Sequence, residues 1–112
     1  MAEDVVNLGG LREIAGDDTE FVKDVILQYS ERGAQLVRAI QTAHKSGAED
    51  DLACFAHALK GSSRAVGAVM LGSVCEKIEF AARESRVDSA ESLIIELPEM
   101  WSQTAQELQK AI

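Results

Sequence analysis

Apolar residues recur in this chain every three to four positions, over long stretches, with almost no punctuation. Only one proline, Pro98, occurs in 112 residues. That spacing is the signature of an amphipathic helix, and the scarcity of breakers implies a few long helices joined by short loops. Aromatics are 4% of the chain, while Ala, Glu, Leu and Val are among its commonest residues, which favours helix over sheet. Hydrophobic residues make up 46%, enough to build a core without disulfide or metal staples.

The elements follow from this pattern. Residues 1–16 are short and glycine-broken. Leu11 and Ile14 there are expected to form one turn of helix that lids a bundle. Asp17 opens a helix, with Glu20 three residues on completing a capping box. Phe21, Val22, Val25, Ile26 and Tyr29 begin its stripe, and Leu36, Val37, Ile40 and Ala43 continue it to a stop at Gly47. "SERG" at 30–33 either bends or briefly breaks this helix. A third helix starts at the acidic run Glu49-Asp50-Asp51 and ends at Gly67. A fourth spans roughly 68–85, with Leu71, Val74, Cys75, Ile78 and Ala82 as its apolar line. Asp88 with Glu91 gives a second capping box for a last helix striped by Leu93, Leu97, Trp101, Thr104 and Leu108, which Pro98 should kink. Amphipathic helices with loops this short pack as antiparallel neighbours. The expected fold is all-α, an antiparallel up-and-down four-helix bundle over 17–112 with a short accessory N-terminal helix, in a single domain.

Composition excludes several function classes. Net charge is -8, and no basic stripe is visible, so nucleic acid is not an expected partner. No stretch approaches the ~20 apolar residues of a membrane span, and no secretory signal opens the chain. No direct membrane contact and a cytoplasmic location are expected. Cys54 and Cys75 sit in apolar, helix-like contexts and read as buried or half-buried thiols rather than a disulfide.

The most informative stretch is "AHALKGSSRAVGA", Ala56 to Ala68, which holds one of only two histidines. On a wheel of ~100° per residue with Leu52 at zero, Leu52, Phe55, Ala56, Leu59, Ser63 and Val66 fall within roughly 60° of one direction. His57 falls near ~140°, Lys60 near ~80°, Arg64 near ~120° and Gly61 near ~180°. His57 therefore faces away from the core, flanked by two cations. Ala53, Cys54, Ala58 and Gly61 surround it with small side chains. A helix-interior glycine costs ~1 kcal/mol relative to alanine. At Gly61 it removes bulk beside the imidazole and leaves a flat patch that a protein partner can approach.

The chemistry narrows accordingly. His57 has no ligand-type residue four positions away, and Cys54 three positions before it makes only a weak metal pair. A Ser–His–Asp arrangement is not evident, and an exposed helix face offers no oxyanion pocket. What remains is the imidazole as a nucleophile toward an activated phosphoryl group, since an imidazole is largely unprotonated near neutral pH. Lys60 would neutralise phosphoryl oxygens. If the third and fourth helices fold back about Gly67, position 57 faces roughly positions 77–79. Glu79 is then the candidate to orient the ring, with Lys77 and Arg83 as positive charge at the rim. Ser63, on the core stripe, is expected to bond back to the preceding turn. His44 reads as a helix-end or solvent residue and Trp101 as a core or bundle-edge contact.

The stretch from Ala56 to Glu79 resembles the signature of histidine-containing phosphotransfer (HPt) domains of bacterial phosphorelays. The matching positions are Ala56, His57, Leu59, Lys60, Gly61, Ser62, Ser63, Gly67, Ala68, Leu71, Cys75 and Glu79, with Ile78 in place of the usual leucine. The detailed match covers about a fifth of the chain. The resemblance implies that His57 is phosphorylated reversibly, between the aspartyl phosphate of one receiver domain and another receiver. It implies that Lys60 lies near the phosphoryl group, that Gly61 admits the receiver, and that Arg83 matches a basic residue near the site. Several members carry glutamine where Glu79 stands. The receiver would supply Mg²⁺, leaving this chain with no cofactor of its own. The implied role is a phosphocarrier without ATP binding or autokinase activity, expected to be monomeric. It would be either free-standing or the C-terminal module of a hybrid sensor kinase. The phosphoacceptor domain of a chemotaxis-type kinase is a close variant. The rivals are a helical docking module using the same patch (Cys54, Ala58, Gly61, Arg64, Lys77, Arg83) and, more weakly, a metal-sensing bundle built on His57 and Cys54.

Overall fold

The structure, a computed structural model, describes residues 5–112. Helix α1 spans Gly9–Ala15, α2 Thr19–Ser46, α3 Glu49–Val66, α4 Val69–Arg83 and α5 Glu91–Gln109, with a 3-10 turn over Val87–Ala90 before α5. No strand occurs among the described residues. Helices α2 to α5 form a ring in which α3 packs on α2 and α4, and α5 closes against both α2 and α4. This is the expected all-α bundle. Helix α1 packs across α2 and α3. Leu11 carries that contact at 6% exposure, whereas Ile14, expected beside it, is 79% exposed. Residues 1–4, the start of the expected lid segment, lie outside the described residues.

Most of the stripe residues do enter the core. Val22, Ile26, Tyr29, Leu36, Val37, Ile40 and Ala43 of α2 are buried, as are Leu71, Val74, Cys75, Ile78 and Ala82 of α4. Phe21 stays largely exposed and Phe55 only partly buried. In α5 the buried line is Ile94, Leu97, Thr104 and Leu108, so Ile94 takes the place expected of Leu93.

Neither capping box forms. Helix α2 is capped by Asp18, whose carboxylate accepts from Phe21 N–H at 2.9 Å. The turn leaving α1 uses Asp17, and this moves the cap one residue on and puts Glu20 out of register. At α5 the 3-10 turn runs directly into the helix. The Asp88 carbonyl takes the Glu91 N–H, so Asp88 sits inside a turn rather than at a cap.

Helix α2 is unbroken through "SERG". Gly33 is buried there, and a Cβ on it would overlap Cη2 of the Trp101 indole from α5. The glycine is a notch for the tryptophan, not a break. Trp101 is thereby held against Tyr29, with ring centroids 5.3 Å apart at 60°, a tilted pairing that aromatic quadrupoles favour. The Tyr29 hydroxyl pairs with the Ser63 hydroxyl at 2.6 Å inside the bundle, and burial pushes the tyrosine pKa up. Ser63 is therefore a cross-helix partner. The back-bond expected of it is made by Ser62, to the Ala58 carbonyl at 3.1 Å.

Pro98 lies within α5 without ending it. Proline has no N–H, so the carbonyl four residues earlier, at Ile94, lacks its helical donor. Gln41 of α2 fills that vacancy, with Nε2 donating to the Ile94 carbonyl at 2.6 Å. The side chain both satisfies the carbonyl and ties α2 to α5. Gln41→Leu should lower stability by about 1–3 kcal/mol, the cost of an unpaired part-buried carbonyl. In a Pro98→Ala background, where residue 98 regains its N–H, the loss should be clearly smaller. Urea unfolding of the four proteins checks this. Equal losses in both backgrounds would show that Gln41 does not compensate for the proline.

Candidate phosphotransfer site

The α3–α4 hairpin builds the site. Gly67 ends α3 in the left-handed region at φ 88, and the Ala68 N–H returns to the Ser63 carbonyl at 2.8 Å. The Gly67 carbonyl accepts from Asn7 N–H at 2.7 Å. A Cβ at 67 would both be strained and overlap the Asn7 carbonyl. This turn sets α4 against α3 in the register that brings Glu79 across from His57.

Glu79 is the centre of the cluster. His57 Nδ1 lies 3.1 Å from its Oε2 and 3.2 Å from Oε1. Lys60 Nζ meets Oε1 at 2.7 Å, and Arg83 Nε donates to Oε2 at 2.9 Å. Burial alone would raise the Glu79 pKa. Hydrogen bonds from Lys60, Arg83 and His57, with the Lys60 charge, outweigh burial and hold it at about 2 against the usual 4.5. The carboxylate is thus ionised and can only accept. In the neutral ring, Nδ1 facing this acceptor carries the hydrogen, which leaves Nε2 with the free lone pair. The His57 side chain is 61% exposed while that of Glu79 is 11% exposed. The imidazole is presented to solvent from a buried anchor.

The other sequence candidates divide. Cys54 and Gly61 are exposed and Ala58 half-buried, one turn or less from His57 on α3. Ala53, read as part of that patch, is instead buried at 2%. A Cβ on Gly61 would meet nothing within 4 Å. No packing inside the molecule requires this glycine, unlike Gly33. Arg64 turns away from His57, crosses Gly72 and pairs with Glu76 at 3.0 Å. Lys77 is exposed on another side of α4, lining a groove with Glu76, Phe80 and Leu93, and does not join the Glu79 cluster. Arg83 joins it, its Nε donating to the carboxylate at 2.9 Å. That role was legible only as spacing: residues 79 and 83 are four apart on one helix.

The two cysteines are free. Cys75 is buried, and desolvation pushes its thiol up to about 12. Cys54 is exposed, contrary to the expectation of a buried or half-buried thiol, because it lies on the His57 side of α3. Among the described residues no group of three or more His, Cys, Asp or Glu side chains is placed to hold a metal ion. None of the described helices is long and apolar enough to cross a membrane.

The depressed Glu79 pKa has a consequence for stability. A carboxyl whose pKa falls on folding stabilises the fold above its unfolded value and loses that contribution as pH drops toward the folded one. Wild type should therefore lose more stability than Glu79→Gln between pH 4.5 and about 2. Denaturant midpoints measured across that range check it; parallel pH profiles would contradict it.

The bundle has a counterpart among solved structures. The structure of histidine-containing phosphotransfer protein B (HptB) from Pseudomonas aeruginosa PAO1 superposes with a TM-score of 0.77 at 24% identity, covering 97% of this chain and 95% of that one. That likeness shows the same bundle fold. No curated protein sequence matches the chain significantly. The Hpt domain family model matches residues 24–107, which takes in α3 and α4, most of α2 and α5, and the whole cluster around Glu79. The chain therefore belongs to the Hpt domain family, the phosphocarrier modules that exchange phosphoryl groups with receiver domains in phosphorelays.

Proposed function

We propose that His57 is the phosphoacceptor and that the domain takes a phosphoryl group from the aspartyl phosphate of one receiver domain and gives it to another. The observation that carries this reading is the His57–Glu79 contact, which commits Nδ1 and leaves Nε2 free on an exposed ring. In the forward step the Nε2 lone pair forms a bond to phosphorus as the acyl-phosphate O–P bond breaks. The aspartate leaves as a carboxylate with that electron pair. Nδ1 keeps its hydrogen, and the positive charge gained by the ring faces the Glu79 carboxylate. The same arrangement serves the reverse step, so it favours exchange in both directions.

Lys60 shares the carboxylate with the imidazole, which supports a role in neutralising phosphoryl oxygens. The flat outer surface of Cys54, Ala58 and Gly61 is the floor on which the receiver docks, with Arg64 at its edge. Lys77 lies off this floor on α4, and contact with it would need a partner that wraps further round. Mg²⁺ comes with the receiver, and the domain neither binds ATP nor phosphorylates itself.

The test is transfer of label from a radiophosphorylated receiver to wild type and to His57→Gln. Label on wild type only, labile in acid and stable in alkali, is the expected result. Label on both proteins, or on neither across a panel of receivers, contradicts the proposal. Gly61→Ala sharpens it. The substitution should raise stability by about 1 kcal/mol, because alanine is the better helix former and the added methyl meets open space. It should also slow transfer roughly tenfold, the effect of ~1.4 kcal/mol of crowding at the docked face. A variant that is more stable and transfers at the wild-type rate would remove Gly61 from the docking floor.

A further inference from the structure

Three donors converge on Glu79, but they reach it differently. Lys60 holds Oε1 at 2.7 Å from α3, the helix that carries His57. Arg83 holds Oε2 at 2.9 Å from one turn further along α4, the helix that carries Glu79 itself. The Arg83 contact is thus internal to one helix, and movement of Lys60 does not disturb it. The Lys60 side chain is 18% exposed, so its ammonium stands at the edge of the cluster and within reach of solvent.

A phosphoryl group on His57 brings about two negative charges beside a carboxylate that is already ionised. Lys60 is then drawn to the new oxygens. If it leaves, a largely buried carboxylate loses its shortest contact, and an unpaired buried charge is strongly unfavourable. A guanidinium stays protonated under all relevant conditions. Its bond to Oε2, the oxygen nearest His57 Nδ1, keeps that oxygen aimed at the ring.

We propose that Arg83 is a positioning residue: it holds Glu79 charged and in place against His57 while Lys60 turns from the carboxylate to the incoming phosphoryl group. The proposal rests on the reading of His57 as phosphoacceptor. Arg83 acts through Glu79 and makes no contact with the phosphoryl group. A rim cation that merely attracts an acidic partner would work equally well whatever residue stood at 79. The two roles are separable.

The experiment is a double-mutant cycle on receiver-to-domain phosphotransfer, with Arg83→Gln and Glu79→Gln alone and together. Arg83→Gln should slow transfer roughly tenfold, the worth of one charged hydrogen bond. In the Glu79→Gln background, with no carboxylate to hold, it should change the rate less than about twofold. Arg83→Lys, which keeps an i,i+4 cation, should restore most of the rate. An equal effect of Arg83→Gln in both backgrounds overturns the proposal and makes Arg83 a rim charge. Failure of the wild type to accept label from any receiver sinks the reading of His57 and this proposal with it. Labelling of wild type with no effect of Arg83→Gln sinks only this one.

A second measurement does not depend on transfer. Lys60→Gln mimics the departure of Lys60, and the Glu79 carboxyl can be titrated by carbon-13 NMR in that variant and in Lys60→Gln/Arg83→Gln. The carboxyl should still titrate low in the single variant and return to the ordinary carboxyl range or above in the double one. Identical titrations in the two would overturn the proposal, because Arg83 would then contribute nothing to holding the charge.

Discussion

One buried-edge carboxylate organises the functional end of this molecule. Glu79 is an acidic side chain in a position that burial alone would push toward neutrality. Three donors from two helices reverse that and keep it charged. The ionised carboxylate in turn decides which nitrogen of His57 holds the ring hydrogen and which faces outward. A glutamine at this position would offer an oxygen to Nδ1 but no charge to face the imidazolium that the proposed phosphorylation would form. The charge also explains the company Glu79 keeps. A largely buried carboxylate is tolerable only with cations to balance it, and Lys60 and Arg83 supply two.

Everything that fixes the α3–α4 register therefore bears on the meeting of His57 and Glu79. Gly67 turns the chain sharply enough to place residue 79 opposite residue 57, and the N-terminal segment is hydrogen-bonded across that turn through Asn7. Beneath the site, Ser63 of α3 is bonded to Tyr29 of α2, which packs on Trp101 of α5, which fills the notch at Gly33. The chain of contacts links the back of α3 to both of the remaining bundle helices. Core residues here sit in close-packed surroundings, so the front of α3 can stay flat and lightly covered while its back is held rigidly.

Much of this was legible in the residues, for identifiable reasons. Long helices leave a strong 3.6-residue period, so the bundle and the outward direction of His57 followed from spacing alone. Gly47 and Gly67 ended helices as expected because only a left-handed residue fits there. Details governed by contacts between helices were not legible. Gly33 has the same local signature as a helix breaker, and only Trp101, far along the chain, makes it a notch. Pro98 removes a helical bond from α5, and only Gln41 across the bundle shows how the freed carbonyl is satisfied. The capping boxes failed because a shift of one residue, or a 3-10 turn, changes which side chain meets the helix end. In the site, the meeting of His57 and Glu79 followed from folding a hairpin about Gly67. The turning of Arg64 to Glu76, and of Arg83 to Glu79, depended on side-chain reach that helical angles do not encode.

The proposed chemistry turns on Glu79, whose carboxylate would fix the His57 tautomer and so select the nitrogen that reacts. Long-range proton–nitrogen NMR on nitrogen-15-labelled protein reads it directly, at a pH where the ring is neutral and again after phosphorylation by a receiver. Hydrogen on Nδ1 and a free lone pair on Nε2 are expected in the resting protein, with phosphorus bonded to Nε2 afterwards. Hydrogen on Nε2, or a ring averaging between both tautomers in wild type, would contradict it.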